Sequence, residues 1–199
     1  AIDLAADPVY DPSAAGLDVQ LRSASGLIRT FTYYDGGTDD EPANYWKSES
    51  VQEGTGGTPV PLSLRTYTSH EYQDSTVYPL ASETVYQSTD AGDPATTTYT
   101  YEFLVDESSV ETNQILQKIT AFPEIPEEQN GSGLAAWQAM RYDEFGNMIW
   151  EQGPRGFIDH FIFDIVTGAL VKKIEDVDPE LWPLPGDWVR PGTLSAPLN

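Results

Sequence analysis

The sequence predicts an all-β chain, built as antiparallel β-hairpin repeats in an open, spiralling sheet. Three observations predict it. Tyr and Thr recur in alternating runs, as in TTTYTYEFLV at 96–105, where Tyr99, Tyr101 and Phe103 share one face and Thr98, Thr100 and Glu102 the other. Asp, Gly and Pro interrupt these runs at short intervals, which is the punctuation of hairpins. One pattern also occurs twice: YDEFGN opens at Tyr142 and FDIVTG at Phe163, 21 positions later. A self-similar unit of this length marks an architecture in which each unit buries its apolar face against its neighbours.

The elements follow in order. Residues 1–20 hold two Asp-Pro steps and little periodicity, and are expected to form an N-terminal arm. Residues 21–178 are expected to form the hairpin module. Its first run is Leu21 to Tyr34, with a turn at Ser25-Gly26, and Asp35-Gly36-Gly37 is a strong reversal signal. Thr38 to Pro61 mixes acids, Gly and Pro, and reads as a long surface loop with a short strand near Tyr45-Trp46. Strands are then expected at Leu62–Tyr72, Thr76–Thr89, Thr96–Val105 and Ile115–Phe122, divided at Asp74-Ser75 and at 90–94. Pro123 to Gly133 is a Pro, Glu and Gly loop. The helix formers in GLAAWQAM (133–140) span only about two turns, so a strand running into Tyr142 is the better reading. From residue 179 to 199 five prolines preclude regular pairing. That segment is expected to be a strap or linker whose Trp182, Leu184 and Trp188 dock on a neighbouring surface.

The repeated pattern has the physics of a hairpin. Arg141-Tyr142 ends one strand, Asp143 to Asn147 turns, and Met148-Ile149-Trp150 returns. Gly146 and Asn147 tolerate the positive φ of a tight reversal, and the Asp143 side chain can bond the turn amides. Tyr142 presents a large ring able to stack on the equivalent residue of the next hairpin. In the second copy Phe163 is the aromatic, Asp164 the cap, Gly168 the turn glycine and Leu170-Val171 the return. Gly153-Pro154-Arg155-Gly156 makes the reversal between them, leading into Phe157–Phe163.

These residues resemble the YD (Rhs) repeat family, whose units run YDxxGN, strand, DPxG-like turn, strand, next YD. The likeness covers Arg141 to Asp176. An earlier echo is SASGLIRTFTYYD at 23–35, where Gly26 precedes Tyr33 by the seven positions that separate Gly156 from Phe163. Residues 38–133 depart from the pattern, as degenerate repeats with inserted loops or as a different β segment. The resemblance implies a spiral of antiparallel hairpins, which in long arrays wraps into a shell around a toxin or forms a bacterial cell-surface structure. No match to the family's core-terminating segment, with its autoproteolytic aspartate, is seen here. The chain therefore reads as a piece of a larger YD-repeat protein or a small self-assembling relative.

Charge and composition bound the chemistry. The net charge of −22, from 32 acidic and 10 basic residues, disfavours a phosphate-backbone partner and an anionic membrane surface. No apolar run reaches the roughly 18 residues of a bilayer span, so membrane insertion is not expected. Neither a basic n-region nor an apolar h-region opens the chain, so an export signal is expected to have been removed or to lie elsewhere. The absence of Cys removes disulfide and thiol chemistry, and acidity with little Lys suits a secreted or cell-surface protein.

With His70 and His160 the only histidines, a transition-metal site is not expected, and both read as strand residues. No Gly-x-Ser-x-Gly elbow is present, and chance carboxylate pairs among 32 acids carry no weight, so no catalytic residues are assigned. Calcium is the one cofactor candidate, on Asp35, Asp39 and Asp40 in an acidic loop, with Asp176 and Asp178 as a smaller cluster; neither has EF-hand spacing. Asn130-Gly131-Ser132 matches a glycosylation sequon but reads as a turn. The expected function is a structural wall, fibre or spacer, partnered by further YD repeats or by copies of itself. The alternative is a carbohydrate-binding or adhesion module, with calcium as an aid.

Overall fold

The computed structural model describes residues 26–37, 41–178, 181–186 and 188. Its strands are β1 (Leu27–Tyr33), β2 (Trp46–Glu53), β3 (Val60–Tyr67), β4 (His70–Tyr72), β5 (Ser75–Val77) and β6 (Leu80–Tyr86). The series continues with β7 (Pro94–Val105), β8 (Glu111–Ala121), β9 (Trp137–Tyr142), β10 (Met148–Gln152), β11 (Ile158–Phe163) and β12 (Leu170–Ile174). Every pairing defined by its register is antiparallel. Among the described residues the only helical element is the single 3-10 turn Glu127–Gln129. The chain is thus all-β, as the alternating runs predict. It divides into two compact units, Ala1–Thr66 with Glu83–Ala95, and Tyr67–Ser82 with Thr96–Asn199.

In the first unit β1, β2 and β3 lie in hydrogen-bonded order, and among the described residues β1 is the outer strand. Cations lie over aromatic rings along this unit: the Arg65 guanidinium is 3.8 Å from the Trp46 ring and also bonds Glu83 Oε1 at 2.7 Å. The short strand expected near Tyr45-Trp46 within 38–61 is a full strand, starting at Trp46. β2 is eight residues long, because WKSESVQE is paired on both sides, to β1 and to β3, and that pairing outweighs the weak β-propensity of Ser and Glu.

The second unit is a meander, β7 to β12 in chain order, and among the described residues β12 is its outer strand. A ribbon of β4 and β5 lies against β8. The expected strands Leu62–Tyr72 and Thr76–Thr89 are each broken. The chain bends after Tyr67, where Thr68 N–H donates to Pro79 O at 3.0 Å, and Pro79 has no N–H with which to extend a ladder. The ribbon is fixed by His70, whose ring stacks on Phe103 at 3.5 Å while Nε2 donates to Thr112 O at 2.8 Å. GLAAWQAM is half strand: residues 133–136 are loop, and β9 begins at Trp137.

The core of the second unit sits under the segment after β12. Ala139, Trp150, Ile158, Val177 and Trp188 form one buried cluster, with Ile119, Ile174, Trp182 and Leu184 packed on it. Ile158 and Val177 are wholly buried. Trp182, Leu184 and Trp188 thus dock as their spacing among prolines predicts. Trp188 Nε1 donates to Gln117 Oε1 at 3.1 Å, satisfying a buried amide, and His160 stacks on Trp150 at 3.9 Å with Trp182 beyond it.

Candidate functional site

In a meander alternate turns share an end, so the β7–β8, β9–β10 and β11–β12 turns all lie at one end of the second unit. Each is organised by an aspartate. At β9–β10, Asp143 N–H donates to Asn147 O at 3.0 Å and Gly146 N–H to Asp143 O at 3.0 Å. The carboxylate accepts from Phe145 N at 2.9 Å, Asn147 N at 2.8 Å and Asn147 Nδ2 at 3.0 Å. Gly146 closes the turn at φ 82°, a left-handed conformation that costs an L side chain about 1 kcal/mol or more.

The β7–β8 turn has the same four backbone-donor bonds. Asp106 N–H donates to Val110 O, Ser109 N–H to Asp106 O, and Ser108 and Val110 N–H to Asp106 Oδ1, at 2.8, 3.0, 2.8 and 3.0 Å. Ser109 occupies the left-handed position at φ 62°. The β11–β12 turn is one residue longer: Asp164 N–H donates to Ala169 O and Gly168 N–H to Asp164 O, both at 2.8 Å. Its carboxylate accepts from Val166 N, Thr167 N and Thr167 Oγ1.

This bonding sets the charge of the three groups. Burial alone would raise the Asp143 pKa, but the Asn147 side chain and the Asn147, Phe145 and Gly146 amides together hold it below the usual carboxylate range. The Thr167 amide and hydroxyl lower Asp164, and the Val110 amide lowers Asp106 against a smaller opposing effect of burial. All three carboxyls are held below their ordinary range, giving that end of the unit a row of carboxylates turned onto their own backbone.

Between the Asp143 and Asp164 turns lies a cleft of about 460 Å³, lined by Asp143, Phe145, Asn147, Phe163, Asp164 and the 165–168 turn. Phe145, Ile165 and Val166 stand exposed at its rim. The two predicted Asp turns are therefore brought together, with Phe163 of the second step in the lining. The Tyr142 hydroxyl instead donates to Met140 Sδ at 3.5 Å, and burial raises its pKa. Tyr101 is pushed up to about 12, first by burial and then by Tyr99 and Tyr142 nearby, so the three phenols gather on one sheet face. At the other end, Gly156 N–H donates to Gly153 O at 2.8 Å, and the Gly-Pro-Arg-Gly reversal makes the same turn without a carboxylate.

Of the three calcium candidates, only Asp35 falls within the described residues. Asp35 Oδ1 accepts Gly37 N–H at 3.0 Å, while Asp39 and Asp40 lie outside the described residues. Among the described residues no group of three or more His, Asp or Glu could hold an ion. His160 Nδ1 donates to Ile149 O at 2.8 Å, so both histidines hold backbone carbonyls under stacked rings. Asn130 adopts φ 62° after the 3-10 turn, and Gly131 N–H donates to Pro126 O, so this sequon is a tight turn. Among the described residues no helix is long and apolar enough to cross a membrane.

Asp106 departs from the YDxxG pattern, since Val105 replaces the aromatic and Ser109 the glycine; the remaining cue is an Asp three residues before a small polar residue at a strand break. Neither a family model nor a curated protein matches this chain.

Proposed function

We propose that the chain is a structural, non-catalytic module of a YD-repeat protein, secreted or displayed on a bacterial surface, which forms a wall, fibre or spacer by adding hairpins to hairpins. The observation that carries this reading is the succession of Asp-organised hairpin turns along one end of the second unit, two of them with the aromatic-Asp step of the family. Each such hairpin presents an edge on which the next can form, and outer strands β1 and β12 are the places where growth would resume. The acidic balance supports a partner that is neither nucleic acid nor anionic membrane. Mass measurement in solution over a range of protein concentration tests the reading. Association is expected, and a monomer at every concentration that binds nothing counts against it.

The cleft at the Asp143 and Asp164 turns favours a second reading, a carbohydrate-binding or adhesion module, because it joins an aromatic wall (Phe145, Phe163) to hydrogen-bonding groups (Asn147, Thr167). A glycan array with and without chelator separates the two readings, and silence across it removes the second.

A further inference from the structure

The two outer strands are not equivalent. β12 is short, carries Lys172 and Lys173, and has a register irregularity at its start, all of which blunt an edge against pairing. Its lysines are also engaged, Lys172 over the Trp182 ring and Lys173 with Asp159 and Glu175. β1 is seven residues long, LIRTFTY, with no Lys or Pro. Its one cation, Arg29, pairs with Glu49 of β2, and the register irregularity between Thr32 and Tyr33 puts the extra residue, Lys47, on β2 rather than on the outer strand. Gly54 N–H donates to Gly26 O and Tyr34 N–H to Tyr45 O, so the even-numbered residues of β1 bond towards β2. Antiparallel alternation then turns the N–H and C=O of Leu27, Arg29, Phe31 and Tyr33 outward. On the same residues, Leu27 is 76 %, Phe31 48 % and Tyr33 60 % exposed.

We propose that β1 is the docking edge and that its occupant is β1 of a second copy of this chain, paired antiparallel about Thr30. This rests on the scaffold reading and names the edge it uses. The register follows from self-complementarity. Pairing about Thr30 sets Leu27 against Tyr33 and Arg29 against Phe31 of the second copy, and matches all four outward-facing residues. Apolar–aromatic and cation–ring pairs across strands are favourable. Shifting the centre to Arg29 opposes two guanidinium groups, and shifting it to Phe31 leaves Leu27 unmatched. One strand pair buries less than the roughly 1,200 Å² of a standard stable interface, so the association is weak and concentration-dependent. Each copy carries −22, so added salt strengthens it by screening their repulsion.

The test uses sedimentation of the full chain with three variants. Phe31→Lys is expected to weaken dimerisation about tenfold or more, with the circular dichroism of the native chain retained. The sequence has no Cys, so Thr30→Cys reports a single contact. A non-hydrogen-bonded antiparallel pair has Cα atoms about 4.5 Å apart, within disulfide reach. Oxidised Thr30→Cys is therefore expected to run as a covalent dimer and Val171→Cys as a monomer. Cross-linking through Val171→Cys with Phe31→Lys silent overturns the choice of edge and leaves the scaffold reading standing. A wild-type monomer at all concentrations, with Thr30→Cys readily alkylated and never cross-linked, overturns both. A Thr30→Cys monomer protected from alkylation shows the edge covered by the chain's own preceding residues, which overturns the second copy as occupant.

Discussion

Replacing Trp188 with Ala removes an indole that anchors the docked segment, and the structure sets the size of the effect. The side chain is 7 % exposed and its Nε1–H serves Gln117 Oε1, itself in a residue 5 % exposed. Truncating a buried Trp costs about 3–5 kcal/mol, and orphaning a buried amide oxygen adds about 1–3 kcal/mol. Against this stands the ordering entropy of the segment from Val177 onward, about 1–2 kcal/mol per residue. The anchor therefore decides whether the segment docks at all, and the measured loss is capped at its net docking free energy. Trp188→Phe keeps most of the apolar contact but not the donor, and is expected to cost about 1–3 kcal/mol. Adding Gln117→Leu to Trp188→Phe recovers much of that, because no polar atom is then stranded. Urea unfolding followed by far-ultraviolet circular dichroism gives the free energies. Acrylamide quenching of Trp150, which lies in the same cluster, reports undocking directly. Unchanged urea midpoint and unchanged quenching in Trp188→Ala would refute the docked arrangement.

Other expectations follow from the turns and the core. Ser109→Gly is expected to stabilise, and Gly146→Ala to destabilise, by about 1 kcal/mol each, since both positions hold left-handed backbone; paired urea titrations check the opposite signs. Asp143→Ala should cost about 1 kcal/mol at neutral pH, as loss of a capping carboxylate does. The Asp143 pKa is depressed on folding, so this stability is complete above the unfolded value of about 3.9 and is lost as pH falls through the lower folded value. The difference between wild type and Asp143→Ala should therefore shrink in acid, and a constant difference would contradict the assignment. Ile158→Ala, at a site with no exposure, is expected to cost about 2–5 kcal/mol in the same assay. Tyr101 should ionise near 12, later than an ordinary phenol, and stability should fall as pH rises from about 10 towards that value; ultraviolet titration against Tyr101→Phe reads it.

The hairpins and the docked segment were legible where a residue type has one physical use. Asp before a left-handed Gly announces a capped reversal, and Trp182, Leu184 and Trp188 among prolines have no ladder to join and so pack as side chains. The length of β2 beyond Trp46 was hidden because its stability comes from neighbours on both sides rather than from Ser, Glu and Gln themselves. The β7–β8 turn was hidden because Ser109 fills a conformation that glycine ordinarily marks. The cleft joins turns 21 residues apart in sequence, and its existence follows only from the meander that places both at one end.

The docked segment leaves β12 and reaches Gln117 on β8, four strands away in the sheet order, a span of about 19 Å at ordinary strand spacing. It therefore acts as a tie-bar across the hydrogen-bond ladder. A pulling force that enters the second unit through Trp188 is delivered to the interior strand β8 before it reaches the outer strand β12. Peeling strands one at a time from the edge, the weakest mode for a sheet under load, first requires the indole to be torn from its pocket. A fibre or wall assembled from such units would yield in discrete steps, each set by one anchored ring.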